Sequence, residues 1–347
     1  MKLRALVAFM LAMALLPALP SAALGMEYTE LLRVIDGDVI GGTDADENLF
    51  PDHILEGDLR ANAAEGEICA ALTVTALENG GEIPPAVFEV TGSVVQDAGE
   101  YAVAAEVGTI GDNSAAVLTV GKDLAAASDV NACALSVSAL GTGSRVYAAV
   151  GGDAAAVITG DSEEAASFGI GFESDGSAET EVVVEGTVSG GTAAVVLWDP
   201  VADMEEGEDK PVFQVGSQVT LAVWALKENS GGALVLRPQM DEDGEWAYRQ
   251  DRQAEAAVRY LIRVEAGQEE YVSVDAKEFE AFSGRTYLYA CEGETVPLKL
   301  NIPDGSVLEE VTGGAADVSV DENGEYSLVI PRGGGVMVSL KLSPKAD

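Results

Sequence analysis

Histidine, cysteine and basic side chains are scarce in this sequence. The chain has one histidine, His53, so a metal cluster or catalytic site built from several histidines is excluded. Only 19 Lys and Arg residues stand against 59 Asp and Glu residues, and the formal net charge is −40. That much negative charge repels phosphate backbones and anionic lipid surfaces. Neither nucleic acid nor a membrane surface is therefore an expected partner.

The three cysteines, Cys69, Cys133 and Cys291, are too few and odd in number for a disulfide framework. No C-x-x-C occurs, which excludes a zinc ribbon and a dithiol redox motif. Cys69 and Cys133 stand in similar apolar contexts, "CAALTV" and "ACALSV". We therefore expect buried, reduced thiols, with a single disulfide as the alternative.

Long apolar runs are absent except at the N-terminus. Lys2 and Arg4 precede an apolar stretch over 5–19, and the small residues "SAA" follow at 21–23. A basic start, an apolar run too short for a comfortable membrane span and a small-residue exit predict a secretory signal peptide over 1–25. Cleavage is expected after Ala23 or Gly25, and the alternative is an N-terminal membrane anchor. The mature chain is expected to be extracellular, with no membrane association.

What the sequence has in abundance is alanine, valine and glycine in a repeating order. An apolar alternation recurs as "ALTVTA", "YAVAAEV", "ALSVSA" and "SFGIGFE". A second element places a glycine before a polar–apolar step in "FEVTGSV", "LTVGKDL", "AAVGGDA" and "VVEGTV". The glycines of this second element are Gly92, Gly121, Gly151 and Gly186, separated by 29, 30 and 35 residues.

A period near 30 residues predicts an all-β fold containing a short right-handed parallel β-helix, also called a β-solenoid. Each inward side chain would meet its equivalent one strand spacing away, which suits small apolar residues. We expect Val94, Leu124 and Ala154 to stack in register, Val137 to point inward and Ser138 to point outward. The alternative is a set of antiparallel hairpins with coincidental similarity.

Changes in pattern divide the chain. After the signal peptide, residues 26–64 are predicted to form an N-terminal cap and 65–237 the parallel β-helix, from which the acidic segment 202–211 projects. Residues 250–347 alternate over longer strands and contain the turn signals Asp304-Gly305 and Asn323-Gly324. They predict an antiparallel, β-sandwich-like repeat module.

The stretches "YLIRVEAG", "GETVPLKLNIPDGSVLEEVT" and "GEYSLVIPRGGGVMVSLKL" resemble the divergent internalin-type bacterial repeat modules. This module family occurs in secreted and surface proteins of Gram-positive, often gut-dwelling, bacteria. Ser306, Val307 and Leu308 stand where the family often has an aromatic residue after the "DG" turn. The resemblance implies a surface-display or spacer role without catalytic residues. The solenoid portion is similar in rhythm to adhesin-type and polysaccharide-lyase-type β-helices.

Motifs for chemistry are missing. The sequence has no G-x-S-x-G, no Walker A loop and no dinucleotide-binding fingerprint, so no catalytic or cofactor-binding residue is assigned and no cofactor is expected. Asp44, Asp46 and Asn48 start like a calcium-binding EF-hand loop, but Leu49 and Leu55 replace the required Gly and Glu. The segment 241–246, "DEDGEW", also lacks the required positions. A weak calcium site in an acidic loop stays open.

The enzyme alternative is a β-helix polysaccharide lyase or glycosidase. Between Glu65 and Pro200, Lys122 and Arg145 are the only basic residues, whereas uronate cleavage needs cations and a base. An enzyme of this class should bring Lys122, Arg145 and acidic side chains together in one groove. The sequence favours a secreted, non-catalytic scaffold for adhesion or extracellular binding. A neutral glycan or an extracellular protein is the expected partner, and a pure spacer is a further option.

Overall fold

The computed structural model describes residues 32–35, 38–41, 54–62, 68–77, 86–98, 100–162, 165–174, 178–198, 219–227, 233–240, 246–250 and 258–345. The predicted signal peptide and the acidic segment 202–211 lie outside these residues. Within them the chain is all-β and contains no helix.

Strands are numbered in chain order. The strands before residue 100 are β1 (Leu32–Ile35), β2 (Asp38–Gly41), β3 (Ile54–Leu55), β4 (Leu59–Asn62), β5 (Ile68–Leu77), β6 (Ala86–Val90) and β7 (Val94–Ala98). The strands from 101 to 250 are β8 (Tyr101–Ile110), β9 (Ala115–Val120), β10 (Leu124–Ser128), β11 (Asn131–Ala139), β12 (Arg145–Val150), β13 (Ala154–Ile158), β14 (Ala166–Ser174), β15 (Glu179–Gly190), β16 (Ala193–Trp198), β17 (Val219–Leu226), β18 (Ala233–Met240) and β19 (Trp246–Gln250). The remaining strands are β20 (Val258–Val264), β21 (Val272–Val274), β22 (Lys277–Glu280), β23 (Thr286–Ala290), β24 (Thr295–Leu300), β25 (Ser306–Gly314), β26 (Asp317–Val320), β27 (Tyr326–Val329) and β28 (Val336–Pro344).

These strands wind into a parallel β-solenoid with three faces. Face 1 contains β5, β8, β11, β14, β16 and β18. Face 2 contains β3, β6, β9, β12, β15, β17 and β20, and face 3 contains β4, β7, β10, β13 and the C-terminal part of β15. The chain passes through faces 1, 2 and 3 in turn and then starts the next coil. The predicted β-solenoid is confirmed.

The predicted register on face 3 is also confirmed. Leu124 pairs with Val94 on the preceding coil and with Ala154 on the following coil, both in parallel. All three side chains are fully buried in the core. Strands of the three faces pair in parallel from coil to coil, so the antiparallel-hairpin alternative is wrong for this part of the chain.

The corner between faces 2 and 3 explains the recurring glycine. A Cβ atom on Gly151 would lie 2.4 Å from the carbonyl oxygen of Gly121 on the preceding coil, a distance that no side chain tolerates. The Gly152 amide donates a hydrogen bond to the Lys122 carbonyl, and the Lys122 amide donates one to the Gly92 carbonyl. The glycines predicted to be equivalent therefore share one corner but occupy two adjacent columns. Gly121 and Gly151 lie in one column, and Gly92 lies in the next.

The residues that directly follow Gly92, Lys122 and Gly152 at this corner are polar, and they connect neighbouring coils. The Asp153 amide donates to Asp123 Oδ1 at 2.8 Å, and the Thr187 amide donates to Asp153 Oδ1 at 2.7 Å. The Ser93 amide donates to Asp58 Oδ1 at 2.9 Å in the same way. Each of these side chains satisfies a backbone donor that the turn would leave unpaired. The polar residue that follows the column of Gly92, Lys122 and Gly152 thus joins one coil to the next.

Face 1 is buried on both sides, which the sequence did not predict. Val137 points into the core and is 1% exposed, as expected. Ser138 points away from the core, as expected, but it is only 6% exposed and does not meet solvent. Its hydroxyl lies 3.5 Å from Glu173 Oε2. Alternation fixes which side of a sheet a residue occupies, but it does not say whether that side meets solvent.

Strands beyond the regular coils extend the stack at both ends. On face 1, β1 pairs in parallel with β5, and β2 folds back on β1 in antiparallel fashion. β3 and β4, inside the segment predicted as a cap, pair in parallel with β6 and β7. At the other end, face 2 runs through β20, which pairs in parallel with β17 and β28.

The C-terminal module is attached to the solenoid through its "PRGGG" turn. The Gly335 amide donates to the Trp224 carbonyl at 2.8 Å, and the Leu226 amide donates to the Gly333 carbonyl at 2.8 Å. Gly334 has φ +69°, and a Cβ there would lie 2.3 Å from the Tyr260 ring. Beyond this attachment, β21, β24, β27 and β26 form the antiparallel sheet of the module.

Two neighbouring alanines test the inward and outward positions of face 3. Ala126 is a core residue at 2% exposure, whereas Ala125 is half-buried on the outer side. Ala126→Asp should lower the free energy of unfolding by about 3–5 kcal/mol, because it buries an unpaired charge. Ala125→Asp should cost about 1 kcal/mol or less. Urea unfolding followed by circular dichroism measures both, and equal destabilisation would show that the assignment of sides is wrong.

Candidate functional site

Aromatic, arginine and glutamate side chains concentrate where the C-terminal module meets the outer side of face 2. The solenoid contributes outward residues of β12, β15 and β20, and the module contributes the hairpin β22–β23 with its connecting turn. We call this group the junction cluster, and its members are Tyr147, Glu181, Glu185, Arg259, Arg263, Phe279, Phe282, Arg285, Tyr287 and Tyr289.

An aromatic pair bridges the two parts. The rings of Tyr147 and Phe282 stack with centroids 4.8 Å apart and an interplanar angle of 17°. The Phe282 amide donates to Glu181 Oε1 at 2.8 Å, which fixes the turn that carries the ring. Burial raises the pKa of Glu181, although the hydrogen bond from Phe282 acts in the opposite direction. Tyr147 is thus held in a defined position on the outside of the solenoid.

Glu185 anchors the hairpin a short distance along the same strand. Its carboxylate forms an ion pair with Arg285 and accepts a hydrogen bond from the Tyr287 hydroxyl at 2.9 Å. Burial, followed by the bond to Glu185, raises the pKa of Tyr287 to about 12. The Glu185 carbonyl accepts a hydrogen bond from Arg263. These contacts hold the hairpin against face 2.

Arg259 completes the cluster by lying against two aromatic rings. Its guanidinium carbon is 5.3 Å from the Phe279 ring centre and 5.0 Å from the Tyr289 ring centre, within cation–π range. The Phe279 and Tyr287 rings pack on a small apolar cluster of Val183, Ala222, Leu261 and Ala281. This apolar cluster lies between the hairpin and the outer side of face 2.

The outer side of face 1 holds a second group of polar residues. Glu106 and Glu173 both point away from the solenoid core, and both are buried, at 5% and 4% exposure. Burial raises the pKa of Glu173 to about 7, although the Ser138 hydroxyl favours the charged form. Glu106 lies on β8 and Glu173 on β14, with β11 between them.

The cysteines are structural where the chain is described. Cys133 is buried on face 1, its thiol donates to the Leu135 carbonyl, and burial raises its pKa to about 12. Cys133 and Cys291 are free thiols, and Cys133 is the buried thiol that the sequence predicted. The backbone of Cys69 pairs with Ala102 on β8, which in turn pairs with Ala132. Two strand spacings of about 4.8 Å therefore separate Cys69 from β11, too far for a disulfide with Cys133.

Lys122 and Arg145 do not meet in the solenoid. Arg145 pairs with Ala115 at the start of β9, whereas Lys122 follows the end of that strand at the corner with face 3. Seven residues of extended chain place them roughly 23 Å apart along face 2. Arg145 instead pairs with exposed Glu179 at 3.6 Å.

The single histidine, His53, and the loops considered for calcium, residues 44–48 and 241–245, lie outside the described residues. In the part of the chain that the structure describes, no group of three or more His, Cys, Asp or Glu residues has the arrangement of a metal site.

The junction cluster could not be seen in the sequence. Tyr147 stands in the solenoid and Phe282 in the module, and no sequence pattern links them. The sequence offered one indication: alternation puts Tyr147 at an outward position of its strand, where it is the register partner of Val117. By contrast, Phe88 and Phe172 of the solenoid point into the core.

Comparison with known proteins gives no relative for this chain. A scan of protein-family models, a search of curated proteins and a search of solved structures each found no match. None of the described residues forms a helix with the length and apolar character needed to cross a membrane.

Glu173 should make stability depend on pH in the neutral range. The folded protein keeps this proton up to about pH 7, whereas the unfolded chain releases it near pH 4.5. The free energy of unfolding should therefore fall as the pH rises from about 4.5 to 7. The Glu173→Gln variant should not show that fall, and its free energy of unfolding should exceed that of the parent by up to about 3 kcal/mol at pH 8.

Urea unfolding at pH values from 4 to 8 measures this difference. Ser138→Ala is the companion variant. It removes the hydrogen bond that favours the Glu173 carboxylate, so the fall in the free energy of unfolding should continue to a higher pH than in the parent. Parallel pH profiles for the parent and Glu173→Gln would contradict the assignment.

Proposed function

We propose that this chain is an exported, non-catalytic β-solenoid scaffold that acts by contact with a neutral glycan or an extracellular protein. The observation that carries the proposal is the outer surface of face 3. Its central side chains are small and apolar, and they repeat in register on successive coils. They are Ala125, Ala127, Ala155 and Val157, and their register partners on the preceding coil are Val95 and Asp97.

This surface stands apart from the composition of the chain. The protein has a net charge of −40, yet the outer side of face 3 carries no charged side chain on β10 and β13. Val157 is 52% exposed there. Arg60 and Asp97 stand on the two preceding coils, β4 and β7. Depletion of charge at the centre of a patch is typical of surfaces that bind partners. A flat array of this kind suits contact with an extended ligand better than enclosure of a reacting group.

The predicted signal peptide over 1–25 supports export. The acidic surface supports an extracellular role with neutral partners, because a strongly acidic chain stays soluble and repels polyanions. The similarity of the C-terminal region to surface-display modules agrees with the same role.

A carbohydrate-active enzyme is the second candidate. It is favoured by Glu173, whose pKa of about 7 fits a general acid, and by Glu106 on the same outer side of face 1. Against this candidate, the two residues lie two strands apart and two positions out of register, which puts their backbones roughly 12 Å apart, farther than the carboxyl pairs of glycosidases. Both side chains are also buried. The separation of Lys122 from Arg145 argues against cleavage of uronate polymers.

Turnover assays distinguish the two candidates. The mature chain, incubated with pectin, alginate, xylan and mucin glycans with and without calcium, should produce no new reducing ends and no unsaturated products. Glu173→Gln serves as the matched variant. Reproducible product formation that Glu173→Gln abolishes would overturn the scaffold proposal in favour of the enzyme.

Export has its own test. Expressed in a Gram-positive host, the full chain should appear in the culture medium or at the cell surface with Leu24 or Met26 as its first residue. Mass spectrometry of the recovered protein identifies that residue. An intact N-terminus retained in the membrane fraction would support the membrane-anchor alternative.

A further inference from the structure

We propose that face 2 carries a binding strip for a neutral glycan chain, with its aromatic end at the Tyr147–Phe282 pair. The strip consists of the outward residues Val87, Val117 and Tyr147. The inference rests on the proposed contact function, and it adds a site and a ligand class. This site lies at the junction with the module and is separate from the contact surface on face 3.

The strip is straight because its residues are register partners. Val87 pairs with Val117, and Val117 pairs with Tyr147, on three successive strands of face 2. Neighbouring strands are about 4.8 Å apart, so the three side chains span about 10 Å along the solenoid axis. A sugar ring is about as long as one strand spacing, so an extended glycan could place about one ring on each coil.

The aromatic pair forms a step at the end of the strip. Val117 is a much shorter side chain than Tyr147, so the Tyr147 ring stands above its register partner. Phe282 stacks on Tyr147 at 4.8 Å and supports the ring. The bond from the Phe282 amide to Glu181 fixes that support. An aromatic surface held rigidly before binding is the feature that an apolar sugar face requires, because little freedom is lost on contact.

Polar groups line both sides of the strip. On one side, Glu89 and Thr119 are half-buried register partners that point outward. On the other side, Arg145 and Glu179 form their exposed ion pair. Sugar hydroxyl groups need donors and acceptors beside an apolar floor, and both kinds are present here.

The local charge favours a neutral ligand over a charged one. Five basic and six acidic side chains of face 2 and the hairpin nearly balance one another, in contrast to the chain as a whole. They are Arg145, Arg259, Arg263, Lys277 and Arg285, and Glu89, Glu179, Glu181, Glu185, Glu278 and Glu280. The negative field of the chain would repel a polyanionic sugar. A cationic peptide would gain little, because the carboxylates that it could bind are already paired with arginines.

Titration of the mature chain with defined probes tests the site. Xylohexaose and cellohexaose are the neutral probes, an oligogalacturonate is the anionic probe, and a lysine-rich peptide is the cationic probe. Calorimetry should show binding of a neutral oligosaccharide that Tyr147→Ala weakens about five- to tenfold, the range expected for the loss of one stacked ring. Tyr147→Phe should bind like the parent, because it keeps the ring.

A second variant tests the strip independently, in case Tyr147→Ala does not fold. Val117→Glu leaves the aromatic pair in place and puts a carboxylate on the strip floor, so it should also weaken binding while leaving the circular dichroism spectrum unchanged. Neutral-sugar binding that survives both variants would overturn the strip while the contact function stands. Preference for the cationic or anionic probe, or no binding of either neutral probe at millimolar concentration, would overturn the ligand class. Release of shortened sugars would instead count against the proposed function itself.

Discussion

In-register hydrogen bonding between successive coils is the constraint on which the rest of this structure depends. Each strand finds its partners in the equivalent strand of the coil before and after it, so every side chain lies about one strand spacing from its counterpart. Inside the solenoid this repetition selects Ala, Val and Leu, which stack without clash. At the corners it selects glycine where backbones approach closely, as at Gly151. It also selects Asp, Ser or Thr where a side chain must accept from the next coil.

The same constraint shapes the outer surfaces, because they inherit the repeat of the core. On face 3 it produces an array of small side chains that is uncharged on β10 and β13, and on face 2 it lines up Val87, Val117 and Tyr147. The C-terminal module interrupts this regularity. It continues face 2 through β20 and lays a hairpin against Glu181 and Glu185. The aromatic pair exists only because the module and the solenoid meet there.

The repeat explains how much of this could be predicted from the sequence. The β-solenoid and the stacking of Val94, Leu124 and Ala154 follow from spacing, since a parallel stack turns equal sequence separation into contact. The predicted glycine column was misaligned by one residue. Gly92 stacks with Lys122 and Gly152, whereas Gly121 stacks with Gly151 in the neighbouring column, because two adjacent positions of this corner both approach the preceding coil. The burial of Ser138 could not be predicted, because alternation identifies a side and not its surroundings. The junction cluster was also out of reach, because Tyr147 and Phe282 are joined by tertiary packing alone.

An engineered cross-link tests the register most directly. In a background with all three cysteines replaced, Ala125 and Ala155 are outward register partners on β10 and β13, within the Cα separation of about 4.4–6.8 Å that a disulfide accepts. Ala125 and Val157 lie on the same strands but two residues out of register, at roughly 8 Å. Mass spectrometry after mild oxidation should show near-complete bond formation for Ala125→Cys/Ala155→Cys and little for Ala125→Cys/Val157→Cys. The reverse order, or no bond in the in-register pair, would contradict the stacked solenoid.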